Sequence, residues 1–322
     1  MEFSAGYQFC RFQLLFNSGF LFYAEYNLRL FFKLLRSKKD ILFANDLDTL
    51  LPNFLVSRLT SCKLIYDSHE YFTEVPELVN RPRTRAFWQA LERSLFPKLK
   101  NVMTVNRMIA DAYREKYGNE ISVVRNFPKR STASSDQPIA SRNKVHKTIL
   151  YQGSLNKGRG LELMIDAMPY LKDHMLVLAG EGDISEQLRK RVAMNNLGKK
   201  VLFKGKIRPD ELSQLTRQAD IGISLEEDLG LNYRYCLPNK VFDYIQAGVP
   251  ILVSDLPLLE EIVRSYQLGE VLTKRDPMIL AETIENMMLR KAAYKQGLKD
   301  AASRFNWERE KKILIEFIQN IE

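Results

Sequence analysis

Histidine, cysteine and tryptophan are scarce in this chain of 322 residues, which holds three, three and two of them. Cys10, Cys62 and Cys236 stand too far apart for a zinc knuckle or a compact disulfide framework, a usage that fits a reducing compartment. His69, His146 and His174 are equally dispersed, so a metal centre built on histidine is not expected. Long apolar runs are missing too. The stretch "LFYAEYNLRLFFKLLRSKK" is aromatic and basic, but Glu25, Asn27, Arg29 and Lys33 break it before it reaches the roughly 18 apolar residues of a spanning helix. No secretory leader is read ahead of it. A basic motif interleaved with aromatics is also lacking, which disfavours nucleic acid as a partner.

What is present is an ordinary globular composition, 45% hydrophobic and 27% charged, long enough for about two domains. The net charge of +9 is uneven: residues 1–143 hold 21 Lys and Arg against 14 Asp and Glu, and the remainder hold 27 against 25. A basic N-terminal half points to anionic partners, unless it is simply a soluble surface. From Asp40 onward, short apolar runs alternate with segments of helical period. Strands are expected at 41–45, 63–67, 101–105 and 121–126, with helices at 47–60, 84–97 and 106–117. "KRSTASSDQPIASRNKVHK" (129–147) has no hydrophobic period and reads as a linker. A second series places strands at 148–153, 175–180, 201–205, 221–225, 250–255 and 269–272. Helices fit at 159–171, 184–194, 209–219, 238–247 and 257–265. The expected architecture is α/β: two doubly wound, Rossmann-like domains, 1–128 and 148–305, with a ligand cleft between them and a C-terminal helix over 306–322.

Three stretches carry candidate chemistry. In "RYCLPNKVFDYIQAGVPILVSD" (234–255), Pro238 suits a first helical turn and Gly248 a left-handed helix end. The amides of Asn239, Lys240 and Val241 would face an anion at the helix start. Lys240 adds a full charge for a diphosphate, and Asp243 is an acceptor suited to a ribose diol. Alternatively, Asn239 caps the helix and Asp243 complements its dipole. In "YQGSLNKGRG" (151–160), glycines including Gly153 let backbone approach a ligand, while Lys157 and Arg159 neutralise phosphate oxygens; a flexible surface turn is the plain alternative. In the N-terminal half, "FANDLDTL" places Asn45, Asp46 and Asp48, and "YDSHEYF" places His69 and Glu70, just past two strands. His69 could bind a substrate hydroxyl or phosphate, and Glu70 could instead cap the next segment. Asn126 is a weaker candidate, better explained as a turn former.

Taken in order, "YQGSLNKGRGLELMIDAM", "LVLAGEGD", "VLFKGKIRPDEL", "ADIGISL" and "LPNKVFDYIQAGVPILVSDLPLLEEIV" resemble the retaining, nucleotide-sugar-dependent glycosyltransferases of the GT-B fold, family 4 (glycosyl transferases group 1). "LIYDSHEYFTEVPEL" and "VVRNFP" look like the branch that builds bacterial surface glycans. The resemblance covers roughly residues 40–320. It implies a C-terminal domain that holds a UDP- or GDP-linked sugar and an N-terminal domain that holds a glycan or lipid-linked acceptor, with no metal and no further cofactor. Asp243 would take the ribose, Lys157 the diphosphate, and His69 would lie near the transferred sugar as the catalytic-side residue. Asn232 and Tyr233 would line the sugar site.

Three departures accompany the resemblance. Ser154 stands where an arginine is common after the first loop glycine, and Arg159 is expected to supply that charge. Tyr235 stands eight positions before Asp243, where a second acid is usual; Glu226 and Glu227 lie too far upstream in register to replace it. No strand and glycine-rich loop precede Asp40, so the N-terminal domain is expected to be shortened, with bared apolar sheet surface. The reading is a cytoplasmic glycosyltransferase. Segment 20–39 either docks it on anionic lipid or forms an aromatic core helix. A non-catalytic or truncated nucleotide-sugar-binding subunit and a nucleotide-sugar 2-epimerase are the alternatives.

Overall fold

A computed structural model describes residues 10–79, 81–130 and 146–321. Most of the expected linker therefore lies outside the described residues. The chain divides into two compact units. One comprises the residues up to Thr73, Glu77–Val123 and the chain end from Phe317; the other comprises Glu74–Pro76 and Val124–Glu316.

The first unit is built on β1 (Ile41–Asn45), β2 (Lys63–Ser68), β3 (Asn101–Thr104) and β4 (Ile121–Val123), all parallel and in sequence order. That order is one half of a doubly wound sheet. Helix α1 (Gly19–Arg36) precedes the sheet, and among the described residues no strand comes before β1. Helices α2 (Leu47–Thr60), α3 (Pro76–Val79), α4 (Pro82–Leu95) and α5 (Arg107–Tyr117) connect the strands. Pro82 at the first position of α4 starts that helix two residues earlier than its periodicity suggested. Edge strand β1 alternates, leaving Ile41 and Phe43 exposed. None of the 18 residues of α1 is fully buried, so α1 is not the core helix that one sequence reading allowed.

The second unit carries β5 (Lys147–Gln152), β6 (His174–Ala179), β7 (Val201–Gly205), β8 (Ile221–Ser224), β9 (Ile251–Ser254) and β10 (Gly269–Leu272). Their spatial order is β10-β9-β8-β5-β6-β7, all parallel, so the winding reverses between β5 and β8. Around them lie α6 (Leu161–Ala167), α7 (Ser185–Met194), α8 (Pro209–Arg217), α9 (Leu231–Arg234), α10 (Asn239–Ala247), α11 (Pro257–Tyr266), α12 (Pro277–Leu289), α13 (Lys295–Arg304) and α14 (Trp307–Gln319). Strands β8 and β9 are buried at every residue, as a sheet covered on both faces requires. Helix α6 starts only at Leu161, because Gly160 takes a left-handed φ of 72° just before it. The last residues rejoin the first unit, where Lys63 Nζ of β2 donates to the Ile321 carbonyl at 2.8 Å.

Helix α10 is seated by one large side chain. Tyr244 is fully buried, and its hydroxyl donates to the Leu150 carbonyl at 3.0 Å. Its ring lies flat on Gly222 of β8; a Cβ there would come within 2.4 Å of the ring. Gly222→Ala should therefore push α10 away from the sheet and lower stability by about 1–3 kcal/mol, as overpacking does. Urea unfolding checks this, and an unchanged midpoint would refute the close seating.

Candidate active site

The reversal between β5 and β8 is where open α/β sheets leave a crevice at the carboxyl ends of their strands. Three stretches meet there: the loop after β5, the loop after β8, and the start of α10. Their meeting point is Glu226, two residues beyond β8 and wholly buried. Its Oε1 accepts from Lys240 Nζ at 2.6 Å and lies 3.5 Å from Arg159 Nη1; Ser224 Oγ donates to its Oε2 at 2.7 Å. Burial alone would raise this carboxyl, but Lys240 and Arg159 outweigh it and hold it below the usual carboxylate range. Lys240 is the mirror case. Burial works against its charge, and Glu226 more than restores it. One carboxylate thus serves two cations, leaving the cluster with one positive charge in excess.

Aromatic rings complete the surroundings. Lys240 Nζ lies 4.4 Å from the Tyr151 ring centre, and the Arg159 guanidinium lies 4.9 Å from that of Tyr233. Tyr151 Oη donates to the Ser154 carbonyl at 2.8 Å, and Tyr233 Oη donates to the Lys157 carbonyl at 3.2 Å. Both rings thereby pin the loop that they shield. Gly158 has no room for a side chain, since a Cβ would sit 2.5 Å from Leu229 and 2.7 Å from Tyr233. At Gly153 a Cβ would lie 3.5 Å from Lys240 Cε, an ordinary contact distance, so the lysine stem passes beside that glycine with room for about one methyl group between them. Arg159 Nε is buried with no hydrogen-bond partner among the described residues.

Asp243 lies three residues after Lys240, so the two share a side of α10. Its Oδ2 accepts from Gln152 Nε2 at 2.8 Å, and Gln152 Oε1 accepts from Thr216 Oγ1 at 2.7 Å. Burial pushes the Asp243 carboxyl up to about 6, only partly offset by the Gln152 amide. Gln152 meets Asp243 and Gly153 lies beside Lys240, so the end of β5 is next to both the acid and the cation. Asp243 also lines a cavity of about 520 Å³ with Gln152, Pro209, Thr216, Arg217 and Arg130.

Several expectations change at this site. The helix begins at Asn239, with Pro238 as its N-cap and no side-chain cap, so Asn239 does not cap it and stands exposed. The Val241 amide donates to the Pro238 carbonyl at 3.0 Å and is not aimed at an anion. Lys157 is exposed, and it is Arg159 that turns into the cluster, two residues on, at the last bend before α6. Lys240 is not a bare charge but half of a buried ion pair. Asn232 and Tyr233 are both buried in the short α9, Tyr233 beneath Arg159. Glu226, set aside from its distance in sequence, reaches Lys240 because residues 225–230 run as a loop without helix or strand, which removes any fixed register. Two acids directly after the strand at a reversal of winding were the signal to follow.

In the first unit, Asp46, Asp67 and His69 form a second cluster. Asn45 ends β1 in register with Asp67, and the Asp46 amide donates to the Asp67 carbonyl at 2.9 Å. Asp46 holds a φ of 57° with ψ of 169°, a conformation that costs of order 1–3 kcal/mol in a residue other than glycine. In that pose its Oδ1 accepts the His69 amide at 2.8 Å. His69 Nε2 lies 3.1 Å from Asp67 Oδ2, and this contact raises the imidazole above its ordinary range. Burial pushes Asp46 up, and it pushes Asp48 up to about 6 with help from Asp46. Glu70 accepts Ser68 Oγ at its carbonyl at 2.8 Å. Asn126 lies exposed beyond β4, away from both clusters in sequence.

Among the described residues, no three His, Cys, Asp or Glu side chains gather closely enough to hold a metal ion. Nor is any described helix long and apolar enough to cross a membrane.

Comparison with known proteins agrees with this architecture. Over 241 residues the chain is 24% identical to the phosphatidyl-myo-inositol mannosyltransferase of Mycobacterium leprae, covering 70% of this chain and 60% of that protein. It is 26% identical over 171 residues to a glycosyltransferase of Methanocaldococcus jannaschii, covering 50% of this chain and 42% of the relative. The chain thus spans roughly half the length of these relatives. Its fold is similar to that of Anabaena HepE, solved with UDP and glucose, at a TM-score of 0.72 and 17% identity over 91% of this chain and 82% of the other. It is also similar to that of the sucrose-phosphate synthase of Thermosynechococcus elongatus, at 0.71 and 16% over 93% and 77%. These are GT-B folds. The model of the family "Glycosyl transferases group 1" matches residues 134–304, which hold the whole β5–β10 sheet and all three stretches that build the Glu226 cluster, and the chain belongs to that family.

Proposed function

We propose that this protein transfers a sugar, with retention, from a nucleoside diphosphate sugar to a glycan or lipid-linked acceptor in the making of a surface polysaccharide. The observation that carries this reading is the cluster at the β5–β8 reversal. Its surplus positive charge lies beside Gly153, and an acceptor-only carboxylate is held by the preceding residue, Gln152. A diphosphate matches the first and a ribose diol the second. UDP in HepE and mannosyl transfer to a phosphatidylinositol in the M. leprae enzyme support a nucleotide-sugar donor and a lipid-linked acceptor.

On this reading, catalysis is electrostatic. As the bond between sugar and phosphate breaks, negative charge grows on the departing diphosphate. Lys240 and Arg159 stand ready where that charge appears, held in a dry site that needs no reorganisation. His69, kept protonated more readily by Asp67, donates a hydrogen bond on the acceptor side, with Asp46, Asn45 and Glu70 around it. Neither a metal nor a further cofactor is invoked.

The first unit also supports membrane docking of this transferase. Helix α1 presents exposed Phe20, Leu21, Leu28 and Phe32 together with exposed Lys33 and Arg36. A groove of about 460 Å³ runs between α1, α2 and α4, lined almost wholly by apolar groups, Phe20, Tyr23, Phe31, Leu55 and Trp88 among them. Apolar groups beside uncompensated cations suit an anionic lipid surface. Binding to vesicles containing phosphatidylglycerol, absent with phosphatidylcholine alone and lost in L28E/F32E, is the expected result.

The donor reading is tested by calorimetry with UDP and GDP and by nucleotide release from their sugars. Binding without turnover supports a non-catalytic subunit, and no binding of either nucleotide refutes the reading. Asp243 must be ionised to accept two ribose hydroxyls. Its share of the affinity should therefore fall about tenfold per pH unit below about pH 6. Comparison with D243N isolates that share, because the nucleotide's own phosphate titrates alike in both proteins. Since the folded-state value is raised, the ionised carboxylate destabilises the empty protein above about pH 6, a cost relieved at lower pH. D243N should bind poorly yet unfold later at pH 8, by of order 1 kcal/mol after screening.

His69 makes a separate prediction. In a proton NMR titration it should lose its proton above the ordinary 6.5, and D67N should bring it down while His174 stays where it is. The small stability that the Asp67–His69 contact adds is present below pH 6.5 and disappears as the pH rises through the folded-state value. An unmoved His69 in D67N would remove Asp67 from the proposal.

A further inference from the structure

We propose that Glu226 is a positioning residue for the donor diphosphate: it holds Lys240 beside Gly153 and so adds to the loop's Arg159 the positive charge that Gly153 and Ser154 themselves lack. This rests on the donor reading above.

The loop arrives at the reversal of winding with Gly153 and Ser154, neither of which carries charge, and its Lys157 is exposed. Charge reaches Gly153 from another element, α10, through Lys240. A buried lysine left alone would surrender its proton or swing outward. Glu226 prevents both, with its Oε1 2.6 Å from Lys240 Nζ. Glu226 is itself fixed at its carboxylate and at the backbone around it. Ser224 Oγ donates to its other oxygen at 2.7 Å, and Ser254 Oγ donates to its backbone carbonyl at 2.6 Å. Arg275 Nη2 donates to the preceding carbonyl, of Leu225, at 3.1 Å. With three donors engaged and no exposed surface, Glu226 is neither a nucleophile nor a base. Its effect on a ligand passes through Lys240 and Arg159.

Packing alone does not explain the arrangement. Buried ion pairs are often no better for stability than apolar groups of the same volume. Here the cluster also stays unbalanced, with two cations on one acid and Arg159 Nε buried without a hydrogen-bond partner among the described residues. An anion resting on Gly153 would supply the missing charge. The cluster is complete only with its ligand.

The test compares UDP with UMP, and GDP with GMP, by titration calorimetry on the full chain. The wild type should prefer the diphosphate of one base. K240M and E226Q should each lower affinity for that diphosphate about tenfold or more while changing the monophosphate much less. A purely structural role would weaken both nucleotides alike, which would overturn the proposal. Retention of the wild-type preference by K240M, or by E226Q when K240M has lost it, would also overturn it. Because E226Q leaves Lys240 buried and unpaired, E226Q/K240M serves as the second variant. It removes both charges and should match K240M in preference, and a return to the wild-type preference would sink the idea. If the wild type binds neither UDP nor GDP, the donor reading falls together with this inference; if only the variants disagree, the donor reading stands.

Discussion

Glu226 shared between Lys240 and Arg159 is the contact around which the C-terminal unit is arranged. Taking Glu226 and Lys240 out of water costs several kcal/mol for each ion before any attraction is counted, and Arg159 is partly withdrawn with them. Such a cluster persists only where the backbone delivers its members with little freedom. The reversal between β5 and β8 does this, because the two strands diverge into connections of opposite direction and leave both loop starts facing one crevice. Helix α10 brings the third member. Its depth is set by the Tyr244 ring on Gly222, and Gly248, with a φ of 69°, ends it in time for β9. The tyrosine rings beside Lys240 and Arg159 keep water away and soften the cost of burial.

Two neighbours on α10 answer burial in opposite ways. Lys240 and Glu226 both remain charged because each meets the other at hydrogen-bond distance. Asp243 has only the Gln152 amide, so desolvation dominates and its carboxyl rises to about 6. A group left under-compensated in this way is the one that the proposed donor reading assigns to the ribose. The same logic applies to the surplus charge on the Lys240 side. Both imbalances lie next to consecutive residues, Gln152 and Gly153.

What could be read from the chain followed from how local the determinants were. Helix α2 was placed at both ends, because its apolar spacing and the flanking polar residues lie within one stretch. The helix end at Gly248 was equally legible, since only a residue without Cβ accepts that φ freely. The strand expected to run to Asn126 ends at Val123, where its parallel pairing to β3 ends at Thr104. Pairing length belongs to the partner strand and not to the run itself. Which of the two loop cations turns inward was not legible, for a similar reason. Lys157 and Arg159 look alike in a flexible stretch, and only the backbone bend through Gly158 and Gly160 decides which one turns inward. Glu226 was least legible: it meets a partner fourteen positions away through a loop with no period to count along.

The first unit couples backbone strain to the geometry of its own cluster. Asp46 adopts a φ that a side chain resists, and in return its carboxylate faces the His69 amide while Asp67 takes the imidazole. A glycine would relieve the strain but offer no acceptor. An ordinary capping pose would aim the carboxylate into α2, whereas Asp46 makes no side-chain cap at all. The acid is therefore held for the loop after β2 and not for its own helix. Since the unfavourable backbone and the uncapped helix both weaken the fold, the position of His69 is what their cost accounts for.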